Sequence, residues 1–347
     1  MNIPSQIMEN ISIAPYTTIG LGGPARYFSR CTNVDQIRNN LRWADNLGIP
    51  VQLLGGGSNI IFPDDGYDGL VLQIALQGAT FTTQGVTAAS GETWDTIVAN
   101  SIKRGLAGLE CLSGIPGQVG ATPIQNVGAY GQEVSDTILW IEALDRTSLE
   151  IIRIPGSECN FEYRQSRFKT SDAEKYIITS VHYRLNPDGK PTISYPELKQ
   201  QVHEELSAQS GPQALSATRN AVLALRRNKS MIIDVEDLNS RSVGSFFLNP
   251  VIGSEQAEEL KLAYPKLPHY PFLEKIKIPA AWLVEQAGFT KGYRCGGIGI
   301  SERHTLALIN LNGSTKELLK LAEKIKDSII SKFGIALKIE PTIVSLK

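Results

Sequence analysis

The sequence predicts a mixed α+β protein of two or three domains, and three observations carry that reading. Helical and strand periodicities alternate through the first third of the chain, a glycine-dense but partly apolar stretch follows, and a capped apolar stripe marks a long helix near the carboxyl end. At 347 residues the chain has ample material for more than one core, since domains run to ~100–200 residues.

Taken in order, Ile37, Leu41, Ala44 and Leu47 recur at helical spacing, and Gly48 stands where a helix can end in the left-handed conformation. The apolar run Val51–Leu54 reads as a strand, Gly55-Gly56-Gly57-Ser58-Asn59 as a turn, and Ile60-Ile61-Phe62 as a second strand. Trp94, Ile97, Val98 and Ile102 share one helical face over Trp94–Arg104, with Gly105 as the stop. Between Gly105 and Gln132 glycine is too dense for a helix or a long strand, yet Leu, Ile and Val keep the stretch partly buried. Its backbone groups therefore need polar partners. Strands are expected around Leu139–Leu144, Leu149–Ile154 and Tyr176–Leu185, and the turn cluster Asn186–Pro191 marks a boundary or insertion. Helices are expected over Ala214–Arg227, Val251–Ala263 and Pro279–Gln286. The last helix is the clearest. Ser314 and Glu317 form a capping box, and Leu318, Ala322, Ile325, Ile329 and Phe333 make one stripe before Gly334.

Composition removes several classes. Lys and Arg number 34 against 35 Asp and Glu, a formal net charge of −1. No nucleic-acid partner is expected, because phosphate backbones demand clustered cations. No apolar run approaches the ~20 residues that span a bilayer, so no membrane insertion is expected. The amino terminus lacks the basic residues and apolar core of a secretory signal. Cys31, Cys111, Cys159 and Cys295 form no CxxC pair. That argues against a metal site and a disulfide framework, and for reduced cysteines in a cytoplasmic protein.

Two segments could hold a ligand. LGGGSNIIF at Leu54–Phe62 puts three glycines after a strand, where several N–H groups can converge on a phosphate; a plain tight turn is the competing reading. SGIPGQVGATPIQNVGAYG at Ser113–Gly131 offers its backbone, Gln125 and Asn126 to an extended polar ligand, or is a structural loop only. Neither GxxxxGK[ST] nor a strand-following GxGxxG occurs, so any nucleotide is held by something other than a P-loop or an ordinary Rossmann fold.

LGGGSN together with GLECLSGIPGQVGATPIQNVGAYGQE resembles the FAD-binding part of the UDP-N-acetylenolpyruvoylglucosamine reductase family, whose members make UDP-N-acetylmuramate for bacterial peptidoglycan. EYRQSRFK at Glu162–Lys169, VGSFFLNP at Val243–Pro250 and FGIALKIEP at Phe333–Pro341 fit the same family in the same order, so the resemblance spans nearly the whole chain. It implies an α+β fold: a two-part FAD-binding domain of the vanillyl-alcohol-oxidase/PCMH type and a smaller α+β substrate-binding domain. The first would occupy residues 1–230, with a subdomain break near 70 and a lid-like loop near 186–200. The second would occupy 231–334, and 335–347 would return to the FAD domain. The bound cofactor would be FAD, the hydride-donating cosubstrate NADPH, and the partner a small nucleotide-sugar, acting on a cytoplasmic monomer.

The residues follow by resemblance. FAD would lie against Gly55, Gly56, Gly57, Ser58 and Asn59, then Ser113, Gly114, Ile115 and Pro116, then Gly120, Ala121, Gln125, Asn126, Gly128, Ala129 and Tyr130. Arg164, Ser245 and Glu340 would be catalytic; Tyr163, Tyr195, Lys229 and Asn249 would touch substrate. Ile339 replaces the proline common before the family's glutamate, and the stretch after Lys229 is longer than in some members. Outside its motif each of these residues has a plainer reading: a surface charge for Arg164, a turn residue for Ser245, a near-terminal charge for Glu340, an exposed ring for Tyr195.

The chemistry such a reaction needs can be stated independently. Reducing an enolpyruvyl ether delivers hydride to the methylene carbon and leaves negative charge at the adjacent carbon and its carboxylate. The site must supply a hydride donor, a cation at the carboxylate and an acid for the carbanion-like centre. A flavin gives the first, the planar guanidinium of Arg164 suits the second, and the Ser245 hydroxyl the third. A flavin oxidase or dehydrogenase of the same superfamily acting on a hydroxy acid or sugar is the nearer rival, and a non-catalytic nucleotide-binding protein the more distant one. GSFFLNP with LKIE favours the reductase.

Overall fold

A computed structural model describes residues 3–202 and 209–345; the ends of the expected 1–230 and 335–347 ranges, and residues 203–208, lie outside it. The first sheet runs Met8–Ser12, Pro24–Cys31, Tyr67–Ile74, Val51–Leu54 in spatial order, antiparallel at its first pair and parallel thereafter. Helix Val34–Leu47 makes the crossover that parallel neighbours require. It starts at Asn33, whose side chain accepts the Gln36 N–H, and stops at Gly48 with φ +64, as the glycine predicts. The second sheet is antiparallel throughout, in the order Ile151–Pro155, Ile138–Asp145, Tyr176–Arg184, Gly85–Ala89, Ala79–Thr82. Leu144 and Ile177 of this sheet pack into the core of the first, so the two sheets share an apolar seam.

The third sheet, Ser242–Ser245, Ala307–Asn310, Ile298–Ile300, Arg294–Cys295, is covered by helix Thr315–Phe333. That helix carries the expected capping box and ends at left-handed Gly334. Its amino end is gripped from afar: Asp64 accepts the N–H groups of Thr315 and Lys316 at 2.8 and 2.9 Å, where a carboxylate is favoured by the helix dipole.

Three features bear on the expected organisation, and one of them is a correction. The strand Tyr67–Ile74 runs through residue 70, and the chain leaves the first sheet for the second only between Ile74 and Ala79. The expected helix Val251–Ala263 begins at Ser254; Val251–Ile252 is a strand on the hairpin of Tyr270–Phe272 and Lys275–Lys277. Two β-branched residues ahead of Gly253 favour the extended form. Finally, the core beneath the third sheet takes Ile19, Leu21 and Ile61 from the amino-terminal third, so residues 231–334 do not enclose their own core. Among the described residues no helix is long and apolar enough to cross a membrane.

Candidate active site

A cleft of about 420 Å³ opens between the three sheets, a size typical of ligand pockets. One wall is built from the two glycine-rich loops. Gly55, Gly56, Gly57, Ser58 and Asn59 line it from one side, and Ile115, Pro116, Gly120, Ala121, Gln125, Gly128 and Ala129 from the other. The loops touch each other closely. A Cβ on Gly56 would stand 3.0 Å from the Gly117 Cα, and the Ser58 hydroxyl donates to the Pro116 carbonyl at 3.2 Å. Gly57, at φ +67, lies where a Cβ would collide with the Tyr16 carbonyl. Its glycine is therefore required twice over, by conformation and by space.

Four of the residues expected at the cofactor do not line this cleft. Ser113 is fully buried with its hydroxyl on the Glu110 carbonyl, and Gly114 sits behind it. The Asn126 amide donates to Glu133 and to the Glu162 carbonyl and accepts from the Ser135 N–H, so it braces the loop. Tyr130 packs edge-on against Tyr195, ring centres 5.6 Å apart.

The opposite wall carries charge. Arg164, Ser245 and Glu340 all line it, although they come from three distant segments. Glu340 arrives because Thr342–Ile343 pairs in parallel with Ile60–Ile61, and its own N–H donates to the Phe246 carbonyl at 2.9 Å. Its carboxyl meets the Arg164 Nε at 3.3 Å, side chains 13% and 22% exposed. The same oxygen accepts from Gln125 Nε2 at 3.5 Å, and Gln125 in turn accepts from Asn59 at 2.7 Å. The remaining arms of Arg164 donate to the Gly128 carbonyl at 2.7 Å and the Asn126 carbonyl at 3.5 Å. Arg164 adopts φ +55, a left-handed backbone uncommon outside glycine. Burial pushes the Glu340 carboxyl above its ordinary range, against the pull of Arg164 and Lys169. The Ser245 hydroxyl has no hydrogen-bond partner among the described residues.

Lys169 was missed by the sequence reading, although it closes the EYRQSRFK motif. Its Nζ donates to the Glu340 carbonyl at 3.2 Å and it lines the cleft.

The four expected substrate residues stand outside the cleft wall. Asn249 accepts the Ala280 N–H at the start of helix Ala280–Gln286. The Tyr163 ring is flanked by Arg164, 5.6 Å from its centre, and Lys277, 3.8 Å from it. Lys229 pairs with Glu197 at 2.6 Å, and Tyr195 precedes the short helix Pro196–Lys199 that carries that glutamate. Leu198, fully buried, anchors the segment. Near Lys229, burial pulls the His304 imidazole down to about 4, and the charges of Lys229, Lys291 and Arg226 act in the same direction.

Comparison with known proteins places this geometry. Residues 236–344 match the model of the UDP-N-acetylenolpyruvoylglucosamine reductase C-terminal domain, and residues 25–153 that of an FAD binding domain. The UDP-N-acetylenolpyruvoylglucosamine reductase of Streptomyces coelicolor is 40% identical over 100% of this chain and 94% of its own. That of Mycobacterium tuberculosis is 40% identical over 98% of this chain and 96% of its own. The crystal structure of the Thermus caldophilus UDP-N-acetylenolpyruvylglucosamine reductase superposes with a TM-score of 0.68 at 22% identity, covering 96% of this chain and 98% of that one. The fold is thus α+β, an FAD-binding domain of the PCMH type followed by a second domain. The cleft suits the cofactor on its own evidence. Two buried polar atoms in its lining residues, Ser90 Oγ and Gln118 Oε1, have no partner among the described residues, and an unpaired buried polar group costs about 1–3 kcal/mol unless something meets it.

Proposed function

The chain belongs to the UDP-N-acetylenolpyruvoylglucosamine reductase family, and from that premise we propose that it is the FAD-dependent enzyme that reduces UDP-N-acetylenolpyruvoylglucosamine to UDP-N-acetylmuramate for peptidoglycan, at the expense of NADPH. The observation that supports this most is the meeting of Arg164, Glu340 and an unpartnered Ser245 hydroxyl across a cleft from two glycine loops. Bound against Gly55–Asn59 and Ile115–Ala129, FAD would supply, once reduced by NADPH, the hydride for the methylene carbon.

Everything else falls to the chain. Arg164 has five N–H donors, of which Glu340, Gly128 and Asn126 engage one each. The other two are free to take the substrate carboxylate and hold the charge that develops there. Glu340 and the two carbonyls fix the plane of that guanidinium. The Ser245 Oγ–H gives its proton to the carbon adjacent to the carboxylate. A hydroxyl is a weak acid in water, but the carbanion-like carbon is a strong enough base to take it. Ile115, Ile124 and Val127 make the glycine-loop side of the cleft partly apolar, which strengthens each of these contacts.

Residues 1–230 serve the cofactor in this reading, 231–334 the nucleotide-sugar, and 335–347 bring Glu340 back. Tyr163 and Asn249 approach the substrate beside Arg164, and Lys229 holds its diphosphate once Glu197 gives way, with Tyr195 closing above. We read the protein as a cytoplasmic monomer. The deciding experiment mixes pre-reduced protein anaerobically with UDP-N-acetylenolpyruvoylglucosamine. Flavin reoxidation at a turnover-competent rate is expected. A flavin that stays reduced with this substrate, yet is reoxidised by a keto acid or a sugar lactone, would transfer the chain to another reaction.

A further inference from the structure

The loop that presents Ile115 and Pro116 to the cleft is held at both ends, by Trp94 and Arg226, which also line the cleft, and by Asp95, which does not. At Gly117 the carbonyl accepts the Trp94 N–H at 3.1 Å. At Gly114 the N–H donates to Asp95 Oδ1 at 2.6 Å, and the carbonyl accepts from Arg226 Nε at 3.1 Å. Asp95 is itself gripped bidentately by Arg219, at 2.6 and 2.7 Å. Asp95 opens helix Trp94–Lys103 and Arg219 lies in helix Pro212–Asn228, so the pair couples two helices to one peptide. Gly114 takes φ +70, and a Cβ there would stand 2.8 Å from Leu223. The peptide has little freedom to settle elsewhere.

We propose that Asp95 and Arg219 are positioning residues for the cofactor, a charged clamp that fixes the Ser113–Gly117 loop in its binding geometry before FAD arrives. This rests on the reading of the cleft as an FAD site. The reason is preorganisation. A loop that binds mainly through backbone and small side chains gains affinity by not having to be ordered on binding. A planar, two-point arginine–carboxylate pair is the most directional ionic contact a protein can use for that. Burial alone would raise the Asp95 carboxyl, but hydrogen bonds from Arg219 and Gly114, with the charges of Arg219 and Arg226, outweigh it and keep the group ionised.

The test prepares apoprotein of wild type, Asp95→Asn and Arg219→Lys, confirms folding by circular dichroism, and titrates each with FAD by flavin fluorescence. Losing a hydrogen bond to a charged group costs roughly 10- to 100-fold in binding. Asp95→Asn should fall in that range. Arg219→Lys, which keeps the charge and loses the fork, should fall short of wild type while its apo melting temperature stays close to it. Turnover of both variants should recover at saturating FAD, because the clamp sets the loop and leaves the chemistry alone. Wild-type affinity in folded Asp95→Asn overturns the clamp, as does complete rescue by Arg219→Lys or a turnover defect that excess FAD does not repair. A wild-type apoprotein that takes up no FAD overturns the cofactor reading and the clamp with it.

Discussion

The two walls of the cleft are made of different material. The glycine wall, Gly55–Asn59 against Ile115–Ala129, is backbone: its close contacts run between main chains, and its polar side chains are tied to one another. The facing wall is side chain, with Arg164, Lys169, Glu340 and Ser245 drawn from segments far apart in sequence. The glycine wall is fixed by close main-chain packing and is damaged most directly by adding atoms. The charged wall is fixed by long-range pairing and is damaged by taking atoms away. The walls meet where Arg164 donates to the Gly128 carbonyl and Gln125 to Glu340, so a change away from that seam, at Gly56 or Ser245, should leave the other wall's property intact.

The sharpest separation is expected at Ser245. Replacement by Ala should leave flavin reduction by NADPH unchanged and slow reoxidation by the enolpyruvyl substrate by ~10²–10⁴-fold, about 3–5 kcal/mol of barrier. Ser245→Cys should recover part of it, since a thiol can occupy the place and give a proton. Stopped-flow absorbance resolves the two halves, and an equal slowing of both would erase the distinction between the walls.

The converse change is Gly56→Val. A side chain there would be directed at the Gly117 backbone. Overpacking of this kind typically costs about 1–3 kcal/mol. The protein should melt earlier and lose FAD on dilution, and residual holoenzyme should keep a near-normal ratio of half-reaction rates. Stoichiometric FAD with an unchanged melting temperature would mean that the two loops tolerate separation.

Smaller still is Tyr195→Ala. The edge-to-face contact with Tyr130 is worth about 0.5–1.5 kcal/mol beyond its buried area. Substrate affinity should weaken by about tenfold at most, with NADPH reduction untouched. Unaltered affinity by calorimetry would leave Tyr195 a half-exposed ring with no part in binding.

The last prediction concerns pH. The Glu340 carboxyl titrates above its unfolded value, chiefly through burial. The folded protein therefore holds that proton over a pH window in which the unfolded chain has released it. Stability should fall as pH rises through that window, which opens near the ordinary glutamate value of ~4.3 and ends at the folded one, with a slope no steeper than about 1.4 kcal/mol per pH unit. Glu340→Gln should flatten this part of the melting-temperature profile. A slope that persists in the variant must come from another group.

The glycine wall was also the more legible one in sequence, for the same reason that it is local. Gly48, the Ser314–Glu317 box and Gly334 announced helix ends through chemistry confined to a few residues, and the glycine runs announced close backbone approach. The charged wall was legible only by resemblance. Nothing near Glu340 signals that Thr342–Ile343 will pair with Ile60–Ile61 or that Ile339 will bridge Phe247, and those two pairings together carry the carboxyl into the cleft. Asp95 and Arg219 read as ordinary helix-surface charges because their common partner, the Gly114 peptide, belongs to a separate segment. Asn126 misled in the opposite sense, since an amide in a glycine loop looks like a ligand contact until Glu133, Glu162 and Ser135 are seen to occupy it.

The parallel pairing of Thr342–Ile343 with Ile60–Ile61 also orders events in time. Contacts between distant parts of a chain pay a large loop-closure entropy and tend to form late. The glycine wall joins segments closer together in sequence than Ile60 and Thr342 are, so it can be assembled before that closure. During refolding the protein should thus pass through a stage that recognises the flavin but has no Glu340 in place, so that recovery of yellow colour runs ahead of recovery of turnover.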